Sequence, residues 1–163
     1  MNPAATPREA IAEVLARYCR GIDRRDRDLV ASCFHGDATD DHGRGPVPLD
    51  EFLDWCFGLL AGYDHTFHFL GQSLFEFAVD DRCHVETYGI AQHRTTGGAT
   101  HRNLVTGFRY LDDFRRGGDG EWRIERRRAV TDWSRTQPED GWWDVPPGMV
   151  HGRPGPDDPS HLR

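Results

Sequence analysis

Two side chains in this sequence are best suited to chemistry: Asp23, at the end of an apolar-patterned helix, and His68, inside an apolar run. Asp23 closes Tyr18-Cys19-Arg20-Gly21-Ile22-Asp23, and His68 sits in His65-Thr66-Phe67-His68-Phe69-Leu70-Gly71. A carboxylate that accepts from one imidazole nitrogen leaves the other to take a proton near neutral pH. A polar ring among Phe67, Phe69 and Leu70 needs a specific partner, and Asp23 can supply it. The chemistry of such a pair is proton removal from a small, mostly apolar organic molecule. Tyr18 lies on the same helical stripe; its hydroxyl could donate to a leaving oxygen or simply belong to the core. His93 shares a strand face with Val85, Thr87, Gly89 and Ala91, small residues suited to a concave surface, although a surface position fits equally. Asp41 and His93 are the next bases to consider after His68.

The elements that must position these groups can be read from hydrophobic period. Thr6-Pro7-Arg8-Glu9 opens a helix with Thr6 as N-cap, Pro7 in the first turn and Glu9 completing a capping box. Ile11, Val14, Leu15, Tyr18, Cys19 and Ile22 recur at helical spacing, and Asp23 follows just beyond Ile22. Asp26 to Phe34 reads as a short second helix, Ala38 to His42 as a short strand, and Leu49 to Ala61 as a third helix with Phe52, Leu53, Cys56, Phe57 and Leu60 on its apolar face. From Thr66 the period becomes two. Phe67 to Val79, Arg82 to Arg94, His101 to Phe114 and Glu121 to Trp133 are long strands. Asp80-Asp81, Thr96-Gly97-Gly98 and Arg116-Gly117-Gly118-Asp119-Gly120 provide turn chemistry between them. Helices followed by antiparallel strands make an α+β pattern: N-terminal helices packed on a curved, mainly antiparallel sheet with a cone-shaped interior. The chain reads as a single domain over residues 1–163, with its core at 7–133 and an irregular, proline-rich tail at 137–163. Trp142 and Trp143 in that tail are expected to pack on the body or on a neighbouring subunit.

At 163 residues the chain is long enough to enclose a ligand-sized pocket. No window approaches the roughly 20 apolar residues of a membrane span, and the N-terminus lacks a charged segment with an apolar stretch behind it. The formal net charge of −7 argues against nucleic-acid and anionic-membrane partners. Cys19, Cys33, Cys56 and Cys83 are widely spaced, as expected of buried thiols in a reducing cytoplasm. Asp40-Asp41-His42 and His65/His68 contain metal-ligand types without a metal-site spacing, so no metal is expected. A phosphate loop after a strand, a nucleophile elbow and a Cys–His motif are all missing, which argues against nucleotide use and covalent catalysis.

The order of elements and three local motifs resemble the SnoaL-like branch of the nuclear transport factor 2-like superfamily. The motifs are Gly21-Ile22-Asp23-Arg24-Arg25-Asp26, Thr66-Phe67-His68-Phe69-Leu70-Gly71-Gln72, and Gly120-Glu121-Trp122-Arg123-Ile124-Glu125-Arg126-Arg127. In the second, Gln72 stands where an Asn is more usual. Members that share the Asp–His pair are scytalone dehydratase, bile-acid 7α-dehydratase and hexachlorocyclohexane dehydrochlorinase, all eliminases. The resemblance implies that Asp23 and His68 form the catalytic dyad, with Tyr18 and Arg127 at assisting positions and His93 in the pocket. Of the three neighbouring arginines, the motif selects Arg127 as the one facing the interior, opposite in parity to Arg126 and Arg128. Its fork could bind a carbonyl, hydroxyl or leaving group, or be held in a buried salt bridge with Asp23 or Asp41. Two departures count against scytalone as substrate. Val105 and Gly107 stand where scytalone dehydratase has Ser and Asn, and its pocket tyrosine after the short strand is replaced near Asp40 and Asp41.

The reading that follows is a cofactor-independent lyase, a dehydratase acting by Asp–His general-base elimination on a small cyclic apolar substrate such as a polyketide, steroid or terpenoid. Substrate-binding residues are expected at Val14, Ile22, Phe52, Phe57 and Phe69, with His93 and Asp41. An isomerase or cyclase using the same base, and a non-catalytic ligand-binding or assembly module, are the alternatives. A homo-oligomer, trimer or dimer, is expected, with Tyr88, Ile90, Phe108 and Tyr110 as candidates for its contact surface.

Overall fold

Thr6 starts the first helix. Its hydroxyl accepts from the Glu9 N–H at 3.3 Å while the Glu9 carboxylate accepts from the Thr6 N–H at 2.8 Å, so two orphan donors of the helix end are satisfied reciprocally. The structure, a computed structural model, describes residues 5–95, 103–137 and 145–161. The Thr96-Gly97-Gly98 connection, the first residues expected in the third long strand, and Trp142 and Trp143 lie outside the described residues. Helix α1 spans Pro7–Arg24, α2 Arg27–Ser32 and α3 Leu49–Leu60. The strands are β1 Phe34–Asp41, β2 Val47–Pro48, β3 His65–Ala78, β4 Arg82–Arg94, β5 Leu104–Arg116 and β6 Trp122–Thr136.

Two boundaries differ from the sequence reading in ways that matter. Asp23 lies inside the last turn of α1, which continues to Arg24 before Arg25 turns left-handed at φ 55°. The second helix ends at Ser32, and the strand after it begins at Phe34, because Phe34 pairs with Ile124 of the last strand. That partner is 90 residues away and leaves no trace in the local pattern. Gly21 allows α1 and α2 to cross closely: a Cβ there would meet Val30 Cγ2 at 2.6 Å and the Asp26 carbonyl at 3.2 Å.

The strands form one six-stranded sheet in the order β2-β1-β6-β5-β4-β3. β1 and β6 run parallel, and every other pair is antiparallel. Left-handed Asp80 and Asp81 make the tight β3–β4 turn, a conformation Asp tolerates better than most residues. Irregularities between Leu70 and Ser73 and between Gly107 and Phe108 interrupt the ladders; such bulges bend and twist a strand. The sheet is not closed. The helices cover its inner face, where Val14, Tyr18 and Ile22 pack with Phe34, Phe52, Val85, Tyr110 and Ile124. This is the expected α+β architecture. All four cysteines are buried thiols. Among the described residues no helix is long and apolar enough to cross a membrane.

The outer face of the sheet exposes Phe67, Phe69, Leu74, Tyr88 and Ile90. Phe108 and Tyr110, expected on that surface, lie inside instead. Register pairs them with Gly89 and Thr87, both buried on the inner face, whereas Tyr88 and Ile90 have the opposite parity.

Candidate active site

α1 and β3 bring Asp23 and His68 together. The register His68↔Ala91 turns the imidazole to the inner face, and the last turn of α1 carries a buried Asp23 over it. Asp23 Oδ1 accepts from His68 Nδ1 at 2.7 Å, and Oδ2 accepts from the His68 backbone N–H at 2.9 Å. One carboxylate therefore fixes both the ring and the strand that bears it. An ionised carboxylate only accepts, so Nδ1 carries the proton and Nε2 keeps its lone pair.

That ring borders a cavity of about 160 Å³, close to the roughly 150 Å³ that encloses a benzene molecule. Helix α1 contributes Tyr18 and Ile22, and α3 contributes Trp55, Cys56, Leu59 and Leu60. The sheet adds Ala91, His93, Thr106, Phe108, Tyr110, Ala129 and Thr131, and His42 completes the wall. Most of the lining surface is apolar, as in most small-molecule sites, and the polar groups on it come from the three histidines, two tyrosines and two threonines.

His93 stands edge-on to His68, with ring centroids 5.4 Å apart at 87°, and the Tyr63 ring centroid lies 5.0 Å from that of His93. Burial pushes the His93 pKa from 6.5 down to about 4, with His68 adding to the shift and Asp23 opposing it. His93 is thus a neutral ring at pH 7. The unfolded chain binds a proton on this residue below 6.5 and the folded one only near 4. Its contribution to stability is therefore complete above pH 6.5 and is lost as pH falls toward 4. Urea unfolding across that window should show a steeper loss for the wild type than for His93→Gln. Equal slopes would contradict a neutral buried His93.

Arg127 also faces inward, and its partner is Asp112, not Asp23 or Asp41. Nε and Nη2 donate to the two Asp112 oxygens at 2.7 Å each, and both side chains are fully buried. The guanidinium is packed between the rings of Tyr18 and Tyr110, 4.1 and 3.8 Å from their centroids, within cation–π range. Burial raises the Asp112 carboxyl while Arg127 opposes the rise. Burial also pushes the Tyr18 and Tyr110 hydroxyls well up, so both stay protonated donors.

Of the residues expected at the site, Tyr18, Ile22, His68 and His93 line the cavity, and Asp23 holds His68. The others fall elsewhere. Arg127 is one layer behind the wall. Val14 and Phe52 belong to the core. Phe57 is half-buried and packs against that core, outside the cavity wall. Phe69 is exposed on the outer face, because a strand that turns His68 inward turns its neighbours outward. Asp41 accepts from the backbone N–H groups of Gly43 and Gly45 at 2.9 and 3.1 Å and approaches Arg128 at 3.6 Å; it does not reach the cavity. Its neighbours do. Asp40 is buried and contacts Nδ1 of His42, whose ring stacks on Phe52 at 5.2 Å. Strand alternation offered a signal for this pair, since Asp40 and His42 share a parity opposite to Asp41.

The tail also bears on the site. The Gly155 N–H donates to the Arg24 carbonyl at 2.8 Å, Asp158 pairs with Arg24 at 2.9 Å, and Arg20 donates to Ser160 at 3.0 Å. Residues 153–160 thereby clamp the last turn of α1, the turn that carries Asp23.

No curated protein matches the chain by sequence. Solved structures do match its fold. A hexachlorocyclohexane dehydrochlorinase, LinA type 2, superposes with a TM-score of 0.73 at 21% identity, covering 87% of this chain and 95% of that one. A Novosphingobium aromaticivorans protein named after scytalone dehydratase gives 0.69 at 19%, covering 87% and 93%. A Kribbella flavida protein gives 0.71 at 20%, covering 79% and 93%. At these identities the likeness speaks to fold. Residues 3–128 match the profile described as a SnoaL-like domain, most of the chain and all of the elements that build the cavity except the end of β6. The chain therefore belongs to the SnoaL-like family of the nuclear transport factor 2-like superfamily.

Proposed function

We propose that the protein is a cofactor-independent lyase, a dehydratase that removes a proton from carbon with His68 and expels hydroxide from a neighbouring carbon. The observation that carries this reading is the 2.7 Å contact between Asp23 and His68 Nδ1 beside an apolar cavity. It leaves Nε2 as the basic atom of an oriented ring. Asp23 stabilises the imidazolium that forms, as in other Asp–His pairs. Tyr18, held protonated by burial, donates a hydrogen bond to the oxygen on which charge develops. Arg127 acts through the Tyr18 and Tyr110 rings it packs between. The cavity volume of about 160 Å³ suits a single ring or one ring of a larger cyclic molecule entering from the mouth.

A panel of cyclic β-hydroxy ketones, assayed without metal or nucleotide, tests the reading. Formation of the conjugated enone, absent in His68→Ala, is the expected result. Ligand retention without turnover across the panel would favour a binding module, and double-bond migration without loss of water would favour an isomerase. The reading includes a homo-oligomer that covers the apolar outer face around Tyr88 and Ile90. Light scattering that finds a monomer at micromolar concentration would remove that part.

A further inference from the structure

The cavity holds a second carboxylate–imidazole pair that the elimination chemistry above has not used. Asp40 is 1% exposed, and its Oδ1 contacts His42 Nδ1. Asp40 Oδ2 has no hydrogen-bond partner among the described residues, so this carboxylate is committed to His42. Phe52 stacks under the His42 ring at 5.2 Å and 17°. Between this pair and Asp23–His68 stand Tyr110, 6.0 Å from His42, and Phe108, 6.4 Å from His68. The cavity thus has an imidazole at each side, each with a buried carboxylate behind its Nδ1.

We infer that His42, oriented by Asp40, is the general acid of this cavity, giving the departing hydroxyl its proton while His68 takes one from carbon. The inference rests on the elimination reading and extends it. Atoms and charges balance as follows. His68 Nε2 gains the carbon-bound proton, and the C–H electron pair becomes the new double bond. The C–O bond breaks with its electrons on oxygen, and His42 Nε2 gives that oxygen a proton, so water leaves. His68 ends as imidazolium and His42 neutral, with Nδ1–H still on Asp40. Solvent exchange resets both.

Exposure assigns the roles. The His42 side chain is 23% exposed and that of His68 8%, so His42 stands where water can return its proton. The pairing agrees: Arg127 is committed to Asp112, which leaves His42 as the partner of the Asp40 carboxylate. Apart from His68, the other titratable groups that line the cavity are poorly placed to give up a proton. Tyr18 on α1 and Tyr110 on β5 have hydroxyls pushed far up by burial, and burial raises the Cys56 thiol on α3 to about 12. His93 on β4, held down near 4 by burial, has no proton to donate at neutral pH.

A pair of probes that differ only in leaving group tests the assignment: β-hydroxycyclohexanone and its β-acetoxy analogue. Acetate departs without needing a proton. His42→Gln keeps a side chain that can donate to Asp40 but cannot transfer a proton. It should lose about 10²–10⁴-fold in kcat on the hydroxy probe and less than about tenfold on the acetoxy probe. Asp40→Asn, acting through the ring, should show the same selectivity in weaker form. Equal losses on both probes would mean that His42 is only structural, and full activity on both would mean that it is idle; either overturns the proposal. His68→Ala separates the two readings, since it must lose both probes. If the wild type eliminates from neither probe, the elimination reading falls and this proposal with it. A His68-dependent elimination indifferent to His42→Gln overturns this proposal alone.

Discussion

Replacing His68 with alanine is expected to lower turnover of a β-hydroxy ketone by about 10²–10⁴-fold, the usual worth of a positioned general base, while the protein stays folded. The ring touches its surroundings mainly through Asp23, and at its edges it meets His93 and Phe108. Removing it enlarges an existing cavity and leaves Asp23 Oδ2 still accepting from the backbone at 2.9 Å. Asp23→Asn separates geometry from charge. The amide is isosteric, yet it cannot stabilise an imidazolium and can fix the wrong ring tautomer. Its loss should approach that of His68→Ala, with little change in substrate binding. Near-normal kcat in His68→Ala, with the fold verified by fluorescence, would place the chemistry elsewhere.

Much of this site was legible because its first members lie on strongly patterned elements. The capping box at Thr6 and Glu9 and the stripe from Ile11 to Ile22 place Tyr18 and Ile22 on the inner face of α1 without reference to any other part of the chain. His68 was conspicuous as a polar ring in an apolar run, and its need for a partner pointed to a carboxylate. What local pattern could not supply was face. Phe67, His68 and Phe69 read equally as core, but alternation sends the two phenylalanines to the outer surface once His68 is inside. The same parity separates Asp40 from Asp41. Asp40 turns inward to meet His42, and Asp41 turns away toward the loop at Gly43. The β1–β6 pairing that fixes this parity joins residues far apart in sequence, Asp40 to Arg127 among them, so only the assembled sheet displays it. Arg127 shows the limit most clearly. Its inward direction was readable, and its partner was not, because Asp112 reaches it through the cross-strand register of β5 on β6.

That register makes the Arg127–Asp112 pair the largest single determinant of stability expected here. Both side chains are fully buried, and two donors meet two acceptors at 2.7 Å. Arg127→Met should cost about 3–5 kcal/mol, because it leaves a fully buried carboxylate without its partner. Asp112→Leu should cost a similar amount by stranding the guanidinium. The double replacement Arg127→Met with Asp112→Leu removes both desolvation penalties at once. It should therefore be far less destabilised than the sum of the single variants, a strongly non-additive cycle. Arg127→Lys keeps the charge and still fails, because an ammonium cannot hold both oxygens or spread its face between Tyr18 and Tyr110. Its cost should be about 1.5–3 kcal/mol, that of one charged hydrogen bond. Urea unfolding of the four variants measures all of this directly. Additive losses would show that the pair does not act as a unit. A near-neutral Arg127→Lys would show that charge alone, without the planar fork, holds the layer behind the cavity.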